Sequence, residues 1–219
     1  MTTPTRTPEP TRSLDERLSR PLPAAITVGV LLLVMVVLEI IDSASPADLD
    51  LYGIHAQEAD GLPGILSAPF LHHGFAHLWS NALPFFVLGW LTILGGFRRF
   101  VLASIGIIII SGLFAWAFTF GAGTQVIVGA SGWVFGLITY LLARGIFTRN
   151  GKQIVISIVV LVMYGSVLFG IFPGRAGISW QGHLGGAIAG VLMAWLLSRG
   201  ERRDRAQSEV ELAGSRPTL

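Results

Sequence analysis

Apolar residues fall into six long blocks along the chain, at roughly 24–41, 74–95, 100–120, 128–147, 154–172 and 180–198, with shorter polar stretches between them. Each is close to the roughly 20 apolar residues that a helix needs to cross about 30 Å of hydrocarbon. The pattern predicts an all-α, polytopic membrane protein, a six-helix bundle over residues 24–198 flanked by two tails. Residues 1–23 are rich in Thr, Pro, Arg and Glu without apolar periodicity, which predicts a disordered tail. The first block follows too many polar residues for a signal peptide and has no clear small-residue cleavage site, so it reads as an uncleaved span. Residues 199–219 mix Arg with Asp and Glu and end in Gly, Ser and Pro, as expected of a solvated tail with a short helical extension.

Composition agrees. Of the 219 residues 52% are hydrophobic and 13% charged, with a mean hydropathy of +0.67, far from a soluble domain's balance. The absence of cysteine removes disulfides, thiolate chemistry and cysteine metal sites. A pI near 9.5 suggests nucleic acid at first sight, but the basic residues are distributed by topology instead. Arg6, Arg12, Arg17 and Arg20 precede the first block; Arg98 and Arg99 follow the second; Arg144, Arg149 and Lys152 follow the fourth; Arg199, Arg202, Arg203, Arg205 and Arg216 follow the sixth. The loop from about Asp42 to Phe70 holds Asp42, Asp48, Asp50, Glu58 and Asp60 and no Lys or Arg. Arg175 is the one basic residue on the other side, so the positive-inside rule puts both termini in the cytoplasm.

With that orientation the second, fourth and sixth spans all run inward from the external face, and each carries unusual polar residues in its first turns. These are His77 and Asn81, Ser131, and His183. Polar side chains inside a membrane are costly and face a protein interior or an aqueous cavity. Ser131 and His183 lie at matching depth, each about one turn past the expected helix start. Gly132 and Gly136, and Gly182, Gly186 and Gly190, repeat every four residues and let two helix backbones approach closely. Close approach brings a hydroxyl within reach of an imidazole, the arrangement in which a base activates an alcohol nucleophile. The Ser131 N–H, the His77 ring and the Asn81 amide are available to hold an oxyanion. No carboxylate lies in the second, fourth or sixth block, so a Ser–His dyad is expected rather than a triad.

Three separated motifs, His77-x-x-x-Asn81, Gly129-x-Ser131-Gly132 and His183-x-x-Gly186-x-x-x-Gly190, resemble those of the rhomboid intramembrane serine proteases, and the similarity covers roughly residues 24–198. The resemblance implies Ser131 as nucleophile, His183 as general base and His77 with Asn81 as oxyanion stabilisers. It implies transmembrane protein substrates cut near the external face, with the fifth span and the loop before the sixth as a lateral gate, and no cofactor. Phe135 stands where relatives often carry a tyrosine against the histidine ring, keeping the stacking and losing the hydroxyl. Gly182 replaces a common alanine. The family's Trp-Arg pair in the first external loop is missing, since Pro63-Gly64-Ile65-Leu66 precede Ser67.

Other readings compete. A glycine-flanked serine alone is a packing residue more often than a nucleophile, and His77 or Asn81 can simply bridge helices. His72, His73 and His77 invite a metal, against which stand the lack of an HExxH motif, of cysteine and of a carboxylate partner within the helices; no metal is expected. His72 is expected to bond the loop before the second span, and His55 and His73 to be plain loop residues. The tryptophans Trp79, Trp90, Trp116, Trp133, Trp180 and Trp195 mostly sit near span ends, where interfacial anchoring is the default expectation. A catalytically silent relative that binds membrane clients is the rival function. A small transporter would instead carry its polar residues around the midplane. The expected partners are membrane lipids and transmembrane substrates, not nucleic acid, and the expected location is a bacterial inner membrane.

Overall fold

A computed structural model describes residues 13–46, 48–121, 125–174 and 177–214. About 80% of the described residues are helical, 3-10 segments included. In order the helices are α1 (Leu14–Leu18), α2 (Pro21–Ala44), α3 (Gly64–Ser67), α4 (Phe75–Leu94), α5 (Phe97–Phe118), α6 (Ser131–Thr148), α7 (Gly151–Tyr164) and α8 (Trp180–Gly214). A 3-10 segment, Gly165–Ile171, continues α7. Two short strands, β1 (Ile54–His55) and β2 (Val126–Ile127), pair antiparallel with Ile54 opposite Ile127 and His55 opposite Val126.

Among the described residues five helical segments are long and apolar enough to cross a membrane: Pro21–Ala44, Phe75–Leu94, Phe97–Phe118, Ser131–Thr148 and Gly151–Ile171. They match the first five predicted spans. The start of α8, diluted by Gln181, His183 and several glycines, is not among them, so the count of six is not established by length and composition.

The segment before α2 departs from expectation. Residues 1–12 lie outside the described residues, but Ser13 begins an ordered turn rather than a disordered tail. Ser13 and Glu16 form a reciprocal capping box at α1. Asp15 Oδ1 then accepts the Arg98 N–H at 2.7 Å and Ser19 Oγ the Phe97 N–H at 2.8 Å. These are orphan donors at the start of α5, and a carboxylate there also meets the positive end of the helix dipole.

α6 is the central helix. Seventy-two per cent of its apolar window is buried, against 11% for the segment Gly151–Ile171, which faces outward along most of its length. Trp133 on α6 is therefore not an interfacial anchor. It is buried in the core, edge-on to Phe85 with centroids 4.5 Å apart, and its indole N–H donates to Ser104 Oγ at 3.0 Å. α8 lies against α6 at backbone distance. A Cβ on Gly186 would overlap the Gly132 carbonyl, and one on Gly190 the Gly136 carbonyl, while Thr139 Oγ1 donates to Ala187 O at 2.8 Å. Gly182, expected in the same row, is not pressed: a Cβ there meets only Ser179 Oγ at 3.3 Å and Ala115 Cβ at 3.6 Å. Its carbonyl instead lies 3.2 Å from where a Gly132 Cβ would sit, and Gly136 faces the Ile107 side chain on α5.

The loop between α2 and α4 is fastened without a Trp-Arg pair. Trp116 on α5 holds it at two points, its indole N–H donating to Glu58 O at 2.8 Å and its carbonyl accepting the Gln57 N–H at 3.0 Å. Ile65 on α3 fits over Gly112 of α5, where any side chain would collide. Through the β1–β2 pairing and the Gly129 N–H to Ala68 O bond of 2.8 Å, this loop braces the strand that leads into α6.

Candidate active site

The turn Val128-Gly129-Ala130 delivers the chain to α6. Gly129 has a φ of +118°, a region that side chains rarely adopt, and it stops the helix from starting at Val128 as expected. Ser131 is thus the first helical residue, and its N–H, like those after it in the first turn, has no acceptor within the helix. The site receives both a hydroxyl and free backbone donors from one residue's placement.

His183 lies one turn into α8, as predicted, and its Nε2 is 2.8 Å from Ser131 Oγ. Its other ring nitrogen, Nδ1, is 3.0 Å from the carbonyl oxygen of Gly170 in the 3-10 segment. Since a carbonyl only accepts, Nδ1 carries the proton and Nε2 is left to accept the serine hydroxyl. The Phe135 ring stacks on the imidazole with centroids 4.0 Å apart and planes 11° from parallel. Ser131, Phe135 and His183, 52 residues apart at the extremes, form one unit, and His183 is buried.

His77 and Asn81 project from α4 into the same cavity of about 670 Å³, which Ser131, His183, the β2 strand and Ser179–Gly182 also line. The His77 ring lies over the turn before Ser131: a Cβ on Gly129 would be 2.6 Å from its Cε1. Asn81 is buried and its Nδ2 donates to His77 O at 3.0 Å, leaving the second amide hydrogen for another acceptor.

The Ser131–His183 pairing, with the aromatic ring on the base and the α4 residues across the cavity, matches the arrangement that the three motifs imply. A family model described as the Rhomboid domain matches residues 60–200. The chain belongs to the rhomboid family. This rhomboid is also 39% identical over 225 residues to an uncharacterized protein of Mycobacterium tuberculosis (strain H37Rv), covering all of this chain and 94% of that one. It is 40% identical over 192 residues to an uncharacterized protein of Mycobacterium leprae, covering 84% and 75%. A putative rhomboid protein of Acanthamoeba polyphaga mimivirus is 35% identical over 124 residues, covering 55% of this chain and 67% of that one. The rhomboid described here is accordingly a multi-pass membrane protein.

Several residues behave differently from their sequence reading. His72 reaches beyond the loop before α4. It is buried and its Nε2 faces the Ala130 N–H at 3.4 Å, next to Ser131, while its ring meets His77 edge-on at 5.1 Å. Burial pushes its pKa down to about 4, so the ring is neutral. His73 is more than a loop residue: its Nδ1 is 2.6 Å from Asp50 Oδ2 and its ring lies nearly parallel to His77 at 6.4 Å. Burial raises the pKa of Asp50, and the bond to His73 partly offsets that rise. His55 bonds Leu51 O through Nε2 at 2.8 Å. With Glu58 and Asp60 it forms the one group among the described residues with metal-ligand spacing, atoms within 4.8 Å of one another, on the first loop and apart from Ser131. The His72–His73–His77 cluster does not form such a group. Glu39 on α2, a buried carboxylate that the sequence reading passed over, is met by Ser43 Oγ at 3.4 Å.

Proposed function

We propose that this rhomboid is an intramembrane serine endopeptidase that cleaves transmembrane segments of other proteins near the outer face of the membrane. The observation that carries the reading is the 2.8 Å contact between Ser131 Oγ and His183 Nε2, with the imidazole held by a second bond on its far side. In the reaction Ser131 Oγ attacks the scissile carbonyl and its proton passes to His183 Nε2. The resulting oxyanion is held by the Ser131 N–H, the His77 ring and the Asn81 amide. Collapse breaks the C–N bond, and the leaving amine takes the proton from His183. Water then attacks the acyl-serine, with His183 accepting its proton and returning it to Ser131 Oγ.

The gate to Ser131 is the fifth span, α7 with its 3-10 extension, together with the loop before Trp180; the low burial of Gly151–Ile171 supports this. α8 is the sixth span and both termini are cytoplasmic, in a bacterial cytoplasmic membrane; the mycobacterial relatives and the one-sided basic residues support this. Incubation of purified protein with a transmembrane reporter tests the activity. Cleavage by the wild type and none by Ser131→Ala or His183→Ala is the expected result. Reporter binding without cleavage by the wild type would favour a client-binding role, and cleavage surviving in Ser131→Ala would rule out the mechanism.

A further inference from the structure

The site has a third member that is not a side chain. Gly170 belongs to the 3-10 segment Gly165–Ile171 at the outer end of the fifth span, and its carbonyl is the acceptor for His183 Nδ1 at 3.0 Å. The residue is glycine because the place is crowded: a Cβ would come 2.8 Å from Phe135 Cζ and 3.3 Å from His183 Nδ1. The backbone of one span therefore rests on the base of another and on the ring stacked against it.

That span is the least buried of the five, and Phe169, beside Gly170, is 73% exposed. The helix changes character at Tyr164, where φ is −125° and ψ 1°, and the segment beyond it is held to the bundle by Tyr164, which is buried, and by Leu168 packed on the core. An imidazole with no acceptor at Nδ1 is free to turn or to move its proton to Nε2, and with a proton on Nε2 it cannot accept from the serine.

We propose that the Gly170 carbonyl is the orienting group of the His183 base, so that movement of the outer end of the fifth span disassembles the Ser131–His183 pair. Gly170 is thus a positioning residue, and the segment that gives way to an incoming substrate is the one that arms the base when it returns. Hydrolysis is confined to the closed state by a single hydrogen bond. This inference rests on the reading of Ser131 and His183 as nucleophile and base, and the experiment separates the two.

Protein labelled with ¹⁵N-histidine reports the tautomer of each of the five histidines, and comparison with His183→Gln assigns the signal of interest. The same samples are treated with a fluorophosphonate, a small probe of Ser131 that needs no gate movement. Wild type is expected to show the Nδ1–H tautomer at His183 and to be labelled. Gly170→Ala is expected to lose that tautomer's dominance and to be labelled about ten-fold more slowly, the upper end of what one hydrogen bond contributes. Gly165→Ala, whose Cβ meets only Leu161 on its own helix at 3.3 Å, is expected to match wild type in both. Leu168→Ala, which loosens the segment without touching His183, is expected to shift the tautomer in the same direction as Gly170→Ala. Slow labelling of Gly170→Ala with an unchanged His183 spectrum would mean a steric effect and overturn the proposal, as would an unchanged tautomer in Leu168→Ala. Wild type that is never labelled at Ser131 but shows the Nδ1–H tautomer, lost in Gly170→Ala, would overturn the protease reading and leave the positioning role standing.

Discussion

Gly186→Ala tests whether helix proximity builds the site. The added Cβ would overlap the Gly132 carbonyl oxygen and lie 3.0 Å from its carbonyl carbon and 3.3 Å from its Cα. All three are backbone atoms of a buried helix and cannot rotate aside. Restoring ordinary contact requires α6 and α8 to part by about 1 Å. Applied one turn away, that displacement stretches the 2.8 Å Ser131–His183 bond beyond hydrogen-bond range. Misplacement of reacting groups by about 1 Å costs on the order of 10²-fold in rate, and overpacking of this kind destabilises by about 1–3 kcal/mol. Fluorophosphonate labelling of Ser131 in detergent, with a thermal melt alongside, reads both. Gly182→Ala is the comparison: its Cβ meets side-chain atoms only, the Ser179 hydroxyl at 3.3 Å and the Ala115 methyl at 3.6 Å. It should label within about two-fold of wild type and melt no lower, since alanine is favoured over glycine in a helix by roughly 0.5–1 kcal/mol. Equal damage from the two substitutions, or normal labelling of Gly186→Ala, would refute the argument that α6–α8 contact at Gly186 sets the geometry.

The other predictions concern single residues. His72 has a folded pKa of about 4 against an ordinary 6.5, so the unfolded chain binds the proton more readily. Stability present above pH 6.5 is then lost as pH falls toward about 4, by up to about 3 kcal/mol. Unfolding in micelles across that range should flatten in His72→Asn, and an unchanged slope would remove His72 as the cause. Phe135→Leu keeps an apolar side chain but loses the 4.0 Å ring stacking, about 0.5–1.5 kcal/mol, and should slow cleavage by up to about ten-fold. Phe135→Tyr should stay near wild type, and the reverse order in a reporter assay would show that stacking is not what the ring supplies. His77→Ala is expected to lower kcat by about 10²-fold or more with little change in KM, as for loss of an oxyanion donor. Asn81→Ala should do less, because half its amide already serves His77 O, and a KM effect alone in either variant would point to substrate binding instead.

What was legible in the chain follows from the cost of polar groups in hydrocarbon. Ser131, His77, Asn81 and His183 stand out because nothing in an apolar helix explains them, and glycines beside two of them signalled close backbones. The five spans were legible for the same reason. What stayed hidden had no such contrast. Asp15 and Ser19 cap α5, yet among charged and Pro-rich neighbours they look like any solvated tail. Trp133 sits near a span end by linear count, but α6 is ringed by other helices, so the end of that span is interior. The glycine row on α8 was misread at one position because four residues turn a helix by 400°, a drift of about 40° per step. Gly186 and Gly190 press directly on the α6 backbone, Gly182 approaches it only through its carbonyl, and Gly185, outside the row, is pressed on Phe114 and Ser111 of α5.

The acceptor at Gly170 was hidden for a deeper reason. A dyad is expected from the sequence because the second, fourth and sixth blocks hold no carboxylate. The orienting role that a carboxylate fills in a triad is open to any fixed acceptor, and a backbone carbonyl costs less to bury than a charge. It also leaves no trace in residue type except a glycine where a side chain would collide. A carboxylate on α6 or α8 would tie the base to its own rigid neighbours. A carbonyl on the fifth span ties it to the least buried of the five segments, so on the proposed mechanism the choice of acceptor decides which motion the chemistry depends on.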